Sequence, residues 1–220
     1  MNESLDSLAK KHGTDKSSLH HGYCDIYEHW LNSRREKFFT FLEIGIGGYQ
    51  YPDRGGQGLK MWEEYFTIAN IVGIDKYDKT GIKDLKRSQI FKISQDDEEK
   101  LKLLVQVMGN PEVIVDDGSH INPLTIKSFE ILFPMLKDGG LYIIEDVHTS
   151  YWEEIASDGT DFGGGTHPFT VINYFKSMVD FNLNHSDSKG RVLPAKWMKG
   201  YEFPIKGITF YKELIIIEKK

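Results

Sequence analysis

Hydrophobic positions in this chain follow two rhythms. Short runs of β-branched residues alternate with stretches whose apolar side chains recur every three or four positions. Tyr23, Ile26, Tyr27, Trp30 and Leu31 predict an amphipathic helix with an aromatic face, and such a face is usually core. Residues 38–44 predict a strand that breaks into Gly45-Ile46-Gly47-Gly48-Tyr49, followed by a long loop through Pro52 and Gly55-Gly56. Leu59, Trp62, Tyr65, Phe66 and Ala69 mark the next helix. Ile71-Val72-Gly73-Ile74 is a second strand ending in Asp75, and residues 89–93 give a short third. Asp96 and Asp97 cap a helix with Leu101, Leu104, Val105 and Met108 on its apolar face. Val113-Ile114-Val115 reads as a strand buried on both sides. Asn122-Pro123 starts a helix with Pro at the first helical position. Phe129, Leu132, Phe133 and Leu136 form its stripe, and Gly139-Gly140 end it. Leu141-Tyr142-Ile143-Ile144 is the fifth strand.

Outside this alternation the pattern is weaker. Residues 5–16 are polar and end in the loop-like Gly13-Thr14-Asp15-Lys16. Residues 147–168 have no clear period and hold Gly159 and Gly163-Gly164-Gly165. A loop this long in a compact domain is usually functional or mobile, so an active-site lid is expected there. Ile172, Phe175 and Val179 predict one more helix, and residues 182–200 are polar and irregular. Residues 207–211 and 214–217 are two strands separated by Lys212-Glu213, a hairpin. The expectation is an α/β sandwich with a seven-stranded, mostly parallel sheet and one antiparallel strand from the C-terminal hairpin. Its 220 residues suit one domain, with residues 1–35 as a helical N-terminal cap.

Composition narrows the partners. The net charge of −6 and the absence of a basic stripe argue against a nucleic-acid backbone. Cys24 is the only cysteine, which excludes disulfides within the chain and cysteine-based zinc sites. The first thirteen residues lack the apolar core of a signal peptide. No apolar run approaches the ~20 residues needed to span a bilayer, so a cytoplasmic protein is expected.

The chemistry concentrates where strands end. Ligands of open α/β sheets sit beyond the carboxyl ends of the strands. There the fourth strand runs into Asp116-Asp117-Gly118-Ser119-His120, and the fifth into Glu145-Asp146 with His148 behind. Turn and cap chemistry explains one such pair well but both together less well. Adjacent strand residues point to opposite sides, so only one of each pair need face a given cleft. Acids converging without a basic neighbour in sequence repel one another unless a cation joins them or protonation relieves the charge. Oxygen-only donors favour Mg²⁺. His120 is near enough to Asp117 to serve as general base; a solvent-facing histidine at a helix start is the alternative. The remaining histidines show no metal-ligand spacing.

Glu43-Ile44-Gly45-Ile46-Gly47-Gly48 stands at the first strand-to-helix crossing, where glycines admit a cofactor close to the backbone. The dinucleotide fingerprint is incomplete, because Gln50 replaces its third glycine, so a nicotinamide oxidoreductase is disfavoured. An acid before the glycines suits a ligand carrying a positive amino group, and Asp75 suits a ribose diol.

Together these residues resemble the class I S-adenosylmethionine-dependent methyltransferases, and more narrowly the Mg²⁺-dependent sugar O-methyltransferases of macrolide biosynthesis. The resemblance runs over most of residues 12–152. It is carried by His12-Gly13-Thr14-Asp15-Lys16, Phe41 to Tyr49, Gly55-Gly56 with Leu59-Lys60-Met61-Trp62, and Gly73-Ile74-Asp75. It continues in Asp116 to His120, Leu132-Phe133-Pro134, Gly139 to Asp146 and Thr149-Ser150-Tyr151-Trp152. It implies a Rossmann-like sandwich, with Asp117, Glu145 and Asp146 holding the metal and His120 as base. It also implies that Glu43, Gly45, Gly47 and Tyr49 bind the methionine end of the cofactor, Asp75 its ribose and Gln95 its adenine end. Asp116 joins the cofactor-binding set and is also the rival base. The acceptor implied is a sugar-containing small molecule; a homo-oligomer is a further expectation that the resemblance does not carry. Two alternatives stay open: a catechol-like acceptor, and a cofactor-binding protein without methyl transfer whose acids are structural.

Overall fold

The computed structural model describes residues 3–153, 162–164, 170–179 and 203–220. Seven strands form one sheet: β1 Thr40–Ile44, β2 Asn70–Asp75, β3 Gln89–Lys92, β4 Val113–Asp116, β5 Leu141–Ile144, β6 Ile205–Tyr211 and β7 Leu214–Lys219. Their order is β3-β2-β1-β4-β5-β7-β6. β7 runs antiparallel to both neighbours while β1 to β5 are mutually parallel, as the sequence pattern predicts.

The order reverses between β1 and β4, the place where open α/β sheets leave a crevice for ligands. Register sharpens the point. Ile44 pairs with Ile74 on one side and Asp116 on the other, and Asp116 pairs in turn with Ile144. The next residues along these strands, Gly45, Asp75, Asp117 and Glu145, therefore emerge at one edge.

Period-2 alternation divides the core into two halves. Leu42, Ile44, Val72, Ile74, Ile114, Tyr142 and Ile144 face α4 (Glu98–Met108), α5 (Asn122–Leu132) and α6 (Val171–Met178). Phe41, Ile71, Val113, Val115, Leu141 and Ile143 face α1 (Leu5–His12), α2 (Cys24–Leu31) and α3 (Gln57–Tyr65). Trp62 of α3 is wholly buried and stacks on Phe66 at 5.6 Å between ring centroids.

Local differences from the sequence reading have identifiable causes. Residues 5–12, read only as polar, form α1, with the Ser4 hydroxyl accepting the Ser7 N–H and Gly13 closing the far end at φ 71°. α5 begins at Asn122, which puts Pro123 at its second position. It stops at Leu132 in a 3₁₀ turn over Phe133–Met135, well before Gly139; Pro134 brings no N–H to continue the α pattern. Of the expected lid at residues 147–168, residues 147–151 are a 3₁₀ turn, and 154–161 and 165–168 lie outside the described residues. The irregular stretch 182–200 lies outside them as well. Among the described residues no helix is long and apolar enough to cross a membrane.

Candidate active site

Strand alternation sorts the acids. Glu43, Asp117 and Glu145 share the parity of Phe41, Val115 and Ile143, so their side chains turn toward the N-terminal helices. Asp116 shares the parity of Ile114 and turns the other way. There its Oδ2 accepts from the Ser128 hydroxyl at 2.5 Å and the Tyr142 hydroxyl at 3.0 Å. Asp116 is buried, and burial raises its carboxyl to about 6.

One cation among the converging acids comes from the chain itself. Lys16 is completely buried, with its ammonium 2.5 Å from Asp117 Oδ2, 2.8 Å from Glu145 Oε2 and 3.7 Å from Glu43 Oε1. Burial alone lowers a lysine's pKa, but the three carboxylates outweigh it and hold Lys16 well above the ordinary value. One ammonium cannot balance them all. Burial first, then the charge of Asp117, pushes Glu145 well above the usual carboxylate range, and burial raises Asp117 too. Glu145 is closed in further by the hydroxyl of Tyr27, which donates to its Oε1.

His120 and Asp146 stand at the open side of this cluster. Both have left-handed backbones, at φ 56° and 52°, a conformation that non-glycine residues hold only where the surroundings impose it. The Thr149 hydroxyl is within hydrogen-bond reach of both their carbonyls, at 3.1 and 2.9 Å. The turn brings His120 Nε2 to 3.8 Å from Asp117 Oδ1 and 3.8 Å from Asp146 Oδ2. Asp117, His120 and Asp146 each offer a donor atom within 4.8 Å of the others'. The structure thus brings His120 to two of the three expected metal ligands and sets the third, Glu145, behind them against Lys16 and Tyr27.

The other side of the crevice is built from β1 and β2. Gly45, at φ +78°, lies so close to β4 that a Cβ there would come 2.1 Å from the Asp117 carbonyl oxygen. Glu43 is buried, accepts from Trp62 Nε1 at 3.3 Å through one oxygen, and has no hydrogen-bond partner for the other among the described residues. Burial raises its carboxyl to about 7. Asp75 accepts the Ile46 and Tyr77 N–H groups at 3.3 and 2.8 Å, bracing the glycine turn. Gln95 is buried and takes the Ser119 N–H on its Oε1 at 2.7 Å. Tyr49 is exposed, beyond the turn.

With the geometry in view, comparison with known proteins is informative. No family model matches. The chain is 35% identical over 98% of its length to the 8-demethyl-8-(2-methoxy-alpha-L-rhamnosyl)-tetracenomycin-C 3'-O-methyltransferase of Streptomyces olivaceus, covering 53% of that protein. It is also 35% identical over 98% of its length to the mycinamicin VI 2''-O-methyltransferase of Micromonospora griseorubida, covering 52% of it. The solved structure of the MycE methyltransferase from the mycinamycin pathway, in complex with Mg, SAH and mycinamycin VI, covers the whole chain with a TM-score of 0.83 at 31% identity. The chain is similar in sequence and fold to sugar O-methyltransferases. It spans about half the length of the curated relatives it matches, and 55% of the MycE chain. A putative caffeoyl-CoA O-methyltransferase from Staphylococcus aureus, at 13% identity and a TM-score of 0.53, shares the fold alone.

Three residues of the site escaped the sequence reading as site components. Lys16 lies in the quoted Gly-Thr-Asp-Lys run, but its partners are 101 and 129 residues away. Tyr27 reads as one more apolar residue of an aromatic stripe. Buried Lys79 donates to the carbonyls of Tyr49, Tyr51 and Arg54 at 2.5, 3.2 and 3.3 Å, pinning the glycine-rich loop. No local signal marks any of them.

Proposed function

We propose that this domain transfers a methyl group from S-adenosylmethionine to a hydroxyl of a sugar or glycosylated metabolite, with Mg²⁺ required. The observation that carries the reading is the convergence of Asp117, Asp146 and His120 beside the glycine turn of β1, at the point where the strand order reverses.

The residues fit both groups. The unpartnered buried oxygen of Glu43 suits an ammonium such as the cofactor's amino group. The crowding at Gly45 keeps side chains out of the turn, and Asp75 sits where a ribose diol would meet a carboxylate. Gln95 and Asp116 are assigned to the adenine end, and their hydrogen bonds to Ser119 and to Ser128 and Tyr142 would hold the walls of that pocket. Asp117 Oδ1 and Asp146 Oδ2 are the carboxylate oxygens nearest His120, and with Glu145 they make an oxygen donor set of the kind Mg²⁺ takes. When bound, the sulfonium provides an activated methyl group and the metal a hydroxyl of lowered pKa. The chain's part is alignment and proton transfer. His120 takes the hydroxyl proton at Nε2. Alignment contributes several kcal/mol, roughly 7–11 at the upper end. The reading carries with it a cytoplasmic enzyme with a small-molecule partner, and allows a homo-oligomer.

One observation favours the rival, a cofactor-binding domain with structural acids: Lys16 already partners Asp117 and Glu145. Release of S-adenosylhomocysteine on a panel of glycosides, with catechols as the alternative acceptor, separates the two. Chelator should abolish turnover while cofactor binding survives, and Mg²⁺ should restore it. His120→Ala should bind cofactor and lose ~10²–10⁴ in rate. Full turnover in chelator removes the metal. Near-normal turnover in His120→Ala, with loss in Asp116→Asn, makes Asp116 the base.

A further inference from the structure

Beside the proposed Mg²⁺ site lies a second group of donors. We propose that His21, His148, Asp146 and Glu213 form a separate site for a first-row transition-metal dication of the zinc type. His21 Nδ1 is 3.4 Å from Glu213 Oε2 and 3.5 Å from Asp146 Oδ1. His148 Nδ1 is 4.0 Å from each of the same two oxygens. A tetrahedral ion with bonds of about 2.0–2.1 Å holds its donors about 3.3–3.4 Å apart. The four histidine–carboxylate separations thus lie within about 0.7 Å of that spacing.

Two further observations point to a ligand. His148 Nδ1 is buried with no hydrogen-bond partner among the described residues, an unusual state for a ring nitrogen that can donate or accept. The Tyr23 hydroxyl donates to Asp146 Oδ1 at 2.6 Å and lies 3.4 Å from the Glu213 carbonyl. That leaves the carboxylate a free lone pair and fixes its direction, as outer hydrogen bonds do at metal sites. Donor chemistry separates the two centres: imidazole nitrogens suit zinc, nickel or iron, whereas an all-oxygen set suits Mg²⁺. Asp146 stands between them, Oδ1 toward His21 and Oδ2 toward His120.

The four donors come from the segment before α2, the loop after β5 and the turn between β6 and β7. An ion there ties the N-terminal cap to the far edge of the sheet, next to the acceptor crevice. This role is structural, not a step of the transfer, although Asp146 belongs to both centres.

The test uses the full chain, stripped with chelator, then loaded with Zn²⁺ in the presence of excess Mg²⁺. Zn²⁺ is counted by elemental analysis after dialysis against Mg²⁺ buffer, and Co²⁺ loaded in its place serves as the spectroscopic probe. One Zn²⁺ per chain should be retained, and Co²⁺ should give the visible bands of a histidine-ligated ion. Outer-shell losses cost 10–100-fold in affinity, so His21→Ala and Glu213→Gln should each weaken binding by at least about 100-fold. His120→Ala should leave it unchanged. Glu213→Gln, which preserves side-chain size, decides the matter if His21→Ala fails to fold. A wild-type chain that retains no Zn²⁺ overturns the proposal. So does Zn²⁺ that survives in Glu213→Gln or is lost in His120→Ala, since the ion would then belong to Asp117 and His120.

Discussion

Replacing Lys16 by Met tests the electrostatic core of the site most directly. The side chain keeps its length and apolar stem but loses the charge that meets Asp117 at 2.5 Å, Glu145 at 2.8 Å and Glu43 at 3.7 Å. Removing one partner of a buried ion pair costs about 3–5 kcal/mol, because the other charge is left without compensation. Here the acids have an escape: they can take up protons. Glu43 is already raised to about 7, and Glu145 well above its usual range, with the lysine in place. Without it both rise further. The folded state then binds more protons than the unfolded chain from about pH 4.5 upward. The variant's stability must therefore fall as pH climbs through that window. We expect a loss of about 3–5 kcal/mol at pH 8 and a clearly smaller one at pH 5. Urea unfolding followed by circular dichroism, in chelator, measures both. The double variant Lys16→Met/Glu145→Gln should recover much of the loss at pH 8, since it also removes a stranded charge. A loss below about 1 kcal/mol at pH 8, the scale of an exposed pair, would show that Lys16 is not the counter-ion of the cluster. Equal losses at both pH values would refute the protonation argument.

Glu43 makes a related prediction. Its folded-state pKa of about 7 stands against an ordinary 4.5, and at about 1.4 kcal/mol per pH unit the difference comes to about 3 kcal/mol. That destabilisation is absent below pH 4.5, grows as pH rises and is complete above pH 7. Glu43→Gln should accordingly flatten the stability–pH curve in that window, and an unchanged slope by urea titration would contradict the assignment. Asp75→Ala should weaken S-adenosylmethionine binding by about 1.5–3 kcal/mol, the range for hydrogen bonds to a charged group. Titration calorimetry would show it, and unchanged affinity would mean that β2 does not end at the ribose.

Much of the sheet was legible because its signals are local. Ile71 to Asp75 and Val113 to Asp116 announce buried strands by β-branched runs, and the Lys212-Glu213 turn announces the hairpin. Parity alone separates Asp117 from Asp116. The helix α1 was not legible as one, since residues 5–12 hold few apolar positions and rely on the Ser4 and Gly13 caps. The contents of the acidic crevice were legible only in part. Acids at strand ends show in the sequence, but the charge that accompanies them does not, for Lys16 meets Glu145 across 129 residues. Histidine spacing misled for the same reason. His21 and His148 look unrelated along the chain, yet their rings stack at 6.4 Å between centroids. Spacing rules read ligands that share one turn or helix; this group is assembled from three segments.

The distance between Lys16 and its partners also sets an order of events on the ribosome. Chains are made at about 5–20 residues per second, and 129 residues separate the lysine from Glu145. The ammonium is thus synthesised roughly 6 to 26 s before the last acid it neutralises. When β4 and β5 emerge and begin to pair, the segment carrying their counter-ion is already outside and free to dock. Had the lysine come after the acids, the two strands would have had to join the sheet with their carboxylates uncompensated, or wait.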